Sequence, residues 1–162
     1  MLLPVDPRGG RKGDRLSQER DTGDQGLLDE ARRAVLSTIA QDGRPRSVPI
    51  CFVAMDDVIW TPIDEKPKSA ADPRSLARVR DIVRDPRVTV LVDRWDEDWS
   101  RLAWLRVEGT AALVEPGAAG HAQAVEALRS RYSQYETQAL EDRPLIRIGI
   151  ERKVGWRVGP GA

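Results

Sequence analysis

Apolar positions in this chain recur mostly every second residue, the spacing of strands with one face buried. VLSTIA, residues 35–40, reads as a first strand, and Gln41-Asp42-Gly43 after it as a turn whose glycine can take a positive φ. From Arg46 to Ala54 the chain alternates again, with Val48, Ile50 and Phe52 on one side and Ser47, Pro49 and Cys51 on the other. Pro49 has no N–H to give a ladder, so this second strand carries an edge or a bulge there. Met55-Asp56-Asp57 turns the chain into a third strand, Val58–Ile63. Three strands joined by tight turns make an antiparallel meander. Val88, Val90 and Val92 mark a fourth strand. Leu102–Val114 is a long fifth, with Ala103, Leu105, Val107, Gly109, Ala111 and Leu113 as its core face and Gly109 at a bend. Leu145–Val158 is the sixth, with Ile146, Ile148 and Ile150 alternating before Trp156.

Helical spacing is confined to three short stretches. Leu27, Leu28 and Ala31 share a face over about 26–34, and Val125, Leu128 and Tyr132 share one over 118–132. Between strands three and four, Asp72 is a good N-cap and Pro73 a good first helical residue. Leu76, Val79 and Val83 follow at helical spacing as the buried face, with Arg74, Arg78 and Asp81 opposite. Asp85-Pro86 ends this helix. Residues 6–25 are charged and almost free of apolar side chains, the composition of a disordered tail. The expected fold is mainly β: a six-stranded antiparallel split β-barrel with a few peripheral helices. It occupies residues 26–160, after a tail at 1–25.

Composition narrows the partners. The 26 basic and 26 acidic residues cancel, which removes a general electrostatic case for nucleic acid. Cys51 is the only cysteine, so no intrachain disulfide can form and no paired-cysteine zinc site exists. No apolar run approaches the length of a membrane span, and the expectation is a soluble, cytoplasmic protein. Only four residues are lysine, yet Lys66 and Lys68 fall together. Around them stand Arg74, Arg78, Arg80 and Arg84, with hydroxyls at Thr61, Ser69 and Ser75. Cations and hydroxyls gathered about a helix start suit a phosphate group.

No catalytic motif is visible: neither a nucleotide-binding glycine fingerprint, nor a P-loop, nor a nucleophile elbow. His121, the only histidine, lies on the apolar stripe of its helix and reads as a packing residue, and Cys51 as a small buried hydrophobe. Asp93, Asp96, Glu97 and Asp98 are close acids on a loop, expected to be solvated or to meet basic residues of a second copy. No metal is expected.

The order and wording of three segments resemble the pyridoxamine 5′-phosphate oxidase-like split barrels, in particular the actinobacterial branch that uses the deazaflavin coenzyme F420. The segments are VLSTIAQDGRPRSVPICF, then DEKPK with LARVRDIVRDPRVTVLVD, then DEDWSRLAWLRVEGTAALVE. The resemblance spans roughly Leu28 to Val158. It implies a homodimer with two cofactor sites at the subunit interface and the cofactor as the seat of redox chemistry. It places the phosphate on Lys68 and Arg78, with Lys66 and Arg80 next, and the ring edge against Ser47, Val48 and Pro49. Trp60 and Thr61 would close the site, and Trp99 or Trp156 would come from the second subunit. The implied activity is hydride transfer between bound F420 and a small organic acceptor. FMN is the second choice of cofactor, and a non-catalytic flavin- or haem-binding module the alternative function. Tyr132, Tyr135 or water would complete proton transfer, with nothing to select among them. Two positions depart from the family's habit. Asp81-Ile82 stands where an Asn-Leu or Asn-Ile pair is common, and Arg78 stands where a helix lysine is common.

Overall fold

The structure is a computed structural model and describes residues 23–63 and 72–158. Its centre is one antiparallel sheet of seven strands. In chain order they are β1 (Ala34–Ile39), β2 (Pro45–Ile50), β3 (Val53–Met55), β4 (Val58–Pro62), β5 (Arg87–Arg94), β6 (Ala103–Val114) and β7 (Leu145–Arg157). Their spatial order is β2-β1-β5-β6-β7-β4-β3. The two edge strands, β2 and β3, are therefore neighbours in sequence, joined by Cys51 and Phe52 alone. A sheet whose far edges are two residues apart along the chain has to curl, and the fold is a split barrel.

The expected second strand, Arg46–Ala54, is really two. A strand passing from one sheet edge to the other leaves a backbone group without a ladder partner at the crossing. Here the side chain of Tyr132 supplies the partners: the Phe52 N–H donates to the Tyr132 hydroxyl (3.0 Å), which donates to the Phe52 carbonyl (2.8 Å). That satisfies the buried amide and carbonyl that the break orphans. Arg131 caps the same place, its guanidinium 5.5 Å from the Phe52 ring centroid and bonded to the Leu28 and Ala31 carbonyls.

The bend at Gly109 is a β-bulge. Glu108 opposes Arg152 while Gly109 opposes Ile150, leaving Glu151 as the extra residue. A Cβ on Gly109 would stand 2.2 Å from the Gly149 carbonyl oxygen, so only glycine fits. Inside the curl, Leu36, Ile59, Val90, Val92, Leu105, Val107, Ala111, Ile146 and Ile148 form one core. The core face expected for β6 is the observed one at Leu105, Val107, Gly109 and Ala111.

Each end of the barrel is stopped by a short helix. Helix α1 (23–30) sends Leu27 and Leu28 into the core. It already includes residues 23–25, ahead of the expected 26, where Asp24 pairs with Arg157 (2.6 Å) and Gln25 bonds Asp29 one turn on (2.8 Å). Helix α2 (Ala77–Arg84) buries Val79 and Ile82 at the other end. Here the expected burial needs correcting. Val83 is 73% exposed, while Asp81, expected on the outer face, is 2% exposed. The cause is Leu76. Asp72 does cap Pro73, but over a single 3₁₀ turn, Pro73–Ser75, and Leu76 is then extended (ψ 136°). The helical phase restarts at Ala77, which turns Ile82 inward in place of Val83.

Helix α3 (His121–Arg131) lies on the outside of the sheet, over β3 and the start of β7. Beneath it Val53, Trp60, Ala124, Val125, Leu128, Tyr132, Tyr135, Leu140 and Leu145 make a second core. The rest of the outer face, on β1, β5, β6 and the far half of β7, has no described element over it. No described helix is long and apolar enough to cross a membrane.

Candidate functional site

The sheet is open between β2 and the end of β4. β3 pairs with β4 only as far as Trp60, so Thr61 and Pro62 have β7 on one side and, among the described residues, no strand on the other. β2 has β1 on one side and no described strand on the other. Both strands reach this opening at the end of the barrel stopped by α2. β1 brings Thr38 there opposite Arg46 of β2, and α2 packs on β1 and β6.

Three polar groups meet at this end, and two of them, Thr61 and Asp81, are unusual for their burial. Thr61 shares the inward side of β4 with Ile59 and Ile63, is 1% exposed, and its hydroxyl has no hydrogen-bond partner. A buried hydroxyl left unpaired costs about 1–3 kcal/mol. Asp81 is the second. Its Oδ2 accepts from the Thr38 hydroxyl (2.9 Å) and from Arg46 Nη1 (2.6 Å), and its Oδ1 from Arg84 Nη2 (3.4 Å). Arg46 is the third. One guanidinium nitrogen is fixed on Asp81 while the side chain stays 39% exposed, so part of its fork reaches solvent beside β2. A guanidinium held at one point by a buried carboxylate is oriented to take an anion with the remainder.

The residues expected from the sequence divide into three groups. Ser47, Val48 and Pro49 lie on β2 beside this opening, Ser47 and Pro49 facing out and Val48 packed on the core. The Ser47 and Ser37 hydroxyls bond across β2 and β1 at 2.9 Å. Thr61 lines the opening, and Arg78 is half-buried on α2, one turn before Asp81 and Ile82. Trp60, Arg80, Trp99 and Trp156 are elsewhere. Trp60 points the opposite way from Thr61 and sits under Gly120, where a Cβ would come within 2.9 Å of the indole. Arg80 is on the solvent side of α2. Trp99 and Trp156 stand at the other end of the sheet, 70% and 47% exposed. Lys66 and Lys68 lie outside the described residues. Arg46 is the residue that sequence reading passed over. Its only signal was a basic side chain two residues before Val48 on the strand assigned to the ring.

The other titratable candidates are committed to structure. His121 is buried, with Nε2 2.7 Å from the Arg143 carbonyl, as its apolar stripe implied. Tyr132 holds Phe52 and Tyr135 is buried in the outer core, so neither hydroxyl faces the opening. Cys51 is partly exposed, contrary to the burial expected of it, because it stands at the strand break. In the acidic loop, Asp96 pairs with Arg101 (3.0 Å) and Asp98 caps the turn Trp99–Arg101. The Ser100 hydroxyl and N–H hold the Asp98 carboxyl below the usual carboxylate range. No described group of three His, Cys, Asp or Glu could hold a metal ion. Just past α2, a side-chain hydrogen bond from Arg87 lowers Asp85 to about 2.

Comparison with known proteins decides the family. The family model described as pyridoxamine 5′-phosphate oxidase matches residues 24–156, which covers the sheet but for Arg157, and the described helices but for the first residue of α1. The chain belongs to this family. Solved structures agree on the fold. A conserved hypothetical protein from Mycobacterium tuberculosis matches with a TM-score of 0.67 at 24% identity over 85% of this chain and 84% of its own. An FAD-binding protein from Mesorhizobium loti matches at 0.61 and 20% identity, over 83% and 90%. The haem storage protein HutZ from Vibrio cholerae matches at 0.63 and 16%, over 85% and 93%. At these identities the likeness is one of fold.

Proposed function

We propose that this protein is an oxidoreductase that passes a hydride between a bound deazaflavin, coenzyme F420, and a small organic acceptor, with FMN as the second choice of cofactor. The observation that carries the reading is the Thr61 hydroxyl, buried and unpartnered on β4, with Arg46 of β2 partly exposed towards the same end of the barrel. A phosphate oxygen satisfies such a hydroxyl and such a fork together. Thr61 and Arg46 would hold the phosphate, with Arg78 of α2 and with Lys66 and Lys68 of the segment that follows β4. Ser47, Val48 and Pro49 would run along the ring edge. The bound cofactor would supply the hydride chemistry. The protein's part is to fix the ring against β2 and to keep water from one of its faces.

A second copy of the chain fits the uncovered outer sheet. Val35, Leu91, Trp104, Val154 and Trp156 lie on adjacent strands there, with Trp104 directly opposite Trp156. Leu91 is 39% exposed, an apolar surface that a homodimer would bury. The same packing would carry Trp99 or Trp156 to the partner's opening.

Titration of the purified protein with F420 and with FMN, followed by fluorescence or absorbance, tests the reading. Binding of at least one at micromolar concentration is expected, weakened by Arg46→Ala. Failure of both to bind would overturn it. A non-catalytic flavin carrier is the second reading, favoured by the commitment of both tyrosines and His121 to packing. It predicts binding without hydride transfer to quinones or enones. Haem ligated through histidine is disfavoured, because the one imidazole already bonds the Arg143 carbonyl.

A further inference from the structure

A cavity of about 660 Å³ runs along one side of α3, with His121, Val125, Glu126, Arg129, Ser130 and Glu141 in its walls. None of these residues belongs to the opening between β2 and β4. We infer that the cavity is a second ligand site, which takes a short aliphatic amino alcohol with its hydroxyl on His121 and its ammonium on Glu126. The inference stands apart from the cofactor reading and shares no residue with it.

The hydroxyl end follows from the imidazole. A carbonyl oxygen can only accept, so the Nε2 that stands 2.7 Å from the Arg143 carbonyl carries the proton. In the neutral ring Nδ1 is then an acceptor. Nδ1 has no hydrogen-bond partner among the described residues, yet it is not sealed from solvent as the Thr61 hydroxyl is. The side chain is 2% exposed and lines the cavity, so the cavity is what reaches this nitrogen. A ligand that satisfies it has to bring a donor.

The ammonium end follows from charge. Glu126 is an exposed carboxylate without a described partner. Arg129 is turned elsewhere: its Nε donates to the Tyr135 carbonyl (3.2 Å), and its Nη2 to the Gln138 carbonyl (2.8 Å) and to Glu141. Two carboxylates and one guanidinium leave these walls with a single net negative charge, which favours a cation over an anion. The positive end of the α3 dipole opposes a cation at His121, but that effect fades within the first turn. The charge therefore belongs at Glu126 and the neutral donor at His121. Five residues of helix set the two Cα atoms roughly 9 Å apart. A short aliphatic chain spans that gap, with Val125 beneath its methylenes.

The test uses the full-length, isotope-labelled protein and three probes of one chain length: aminopentanol, pentylamine and hydroxypentanoate. At about pH 8, where an ordinary imidazole is neutral, aminopentanol at millimolar concentration should shift the amide signals of α3. It should bind about fivefold more tightly than pentylamine, the worth of one neutral hydrogen bond, and hydroxypentanoate should not bind. His121 is the only histidine, so its Nδ1 signal is unambiguous; it should move with aminopentanol and stay with pentylamine. Glu126→Gln, a change on the exposed face, should weaken both amines about threefold. Equal binding of hydroxypentanoate would overturn the inference. So would equal binding of aminopentanol and pentylamine with Nδ1 unmoved, or an α3 that no amine perturbs.

Discussion

The two ends of the barrel are stopped by short helices of opposite chemistry. At the α1 end the plug is Leu27 and Leu28, and charge stays at the rim, in the pairs Arg94–Glu30 and Arg157–Asp24. At the α2 end the plug is Val79 and Ile82, and charge goes inside: Asp81 is buried and the Thr61 hydroxyl is unpaired. An apolar plug with exposed ion pairs gains burial energy and pays little desolvation. A plug with a buried carboxylate gives up part of that gain. The difference separates an end that holds the fold from the end where the proposed cofactor site lies.

The comparison can be broken by four measurements, beginning with the largest effect. Leu28→Ala should cost about 3 kcal/mol of unfolding free energy in denaturant, with cofactor affinity unchanged; a fall in that affinity would mean that the α1 end shapes the site. Asp81→Ala should cost about 2 kcal/mol, below the usual range for breaking a buried pair, because Arg46 and Arg84 can turn to water. A cost near zero would remove the claim that Asp81 ties α2 to β1 and β2.

Thr61→Val sharpens the contrast. Removing a buried hydroxyl that has no partner should leave the ligand-free protein as stable as before, or about 1 kcal/mol more stable. Cofactor affinity should fall about tenfold, read by the same titration. Loss of stability instead would show that the hydroxyl has a structural role. The smallest effect concerns Asp85, at the exposed C-terminus of α2. Its folded pKa is depressed to about 2 from 3.8 by Arg87. The interaction therefore stabilises the folded state above about pH 4, and the contribution is lost as pH falls from there through 2. Carboxyl chemical shifts in Arg87→Gln should return the midpoint towards the ordinary aspartate value.

Much of the α1 end was legible along the chain, and less of the α2 end. The period-two runs of β1, β5, β6 and β7 name their own buried faces, because strand parity needs only nearest neighbours. Gly109 was readable as a bend for the same local reason. The strand break at Cys51–Phe52 was not, since the group that permits it is a hydroxyl 80 residues away in sequence. Nor was the burial of Asp81. One extended residue, Leu76, shifts the helical phase by one position, and nothing in the order of side chains marks it as extended. Arg46 was hidden because its worth comes from Asp81 on another element. The fold of this chain follows from patterns within segments, whereas its site is made where segments with different patterns meet.

The strand order also carries a consequence for how the molecule is made. Among the described strands β4 bonds to β3 and β7, and β7 is the last of the seven to be synthesised. Until residues 145–157 have been synthesised, the β3–β4 hairpin has no sheet to join, and a lone hairpin is at best marginally stable. The nascent chain can assemble β2, β1, β5 and β6 as they appear, but its middle has to wait for its end. The final strand is the keystone, and the opening that it completes is among the last features of the molecule to exist.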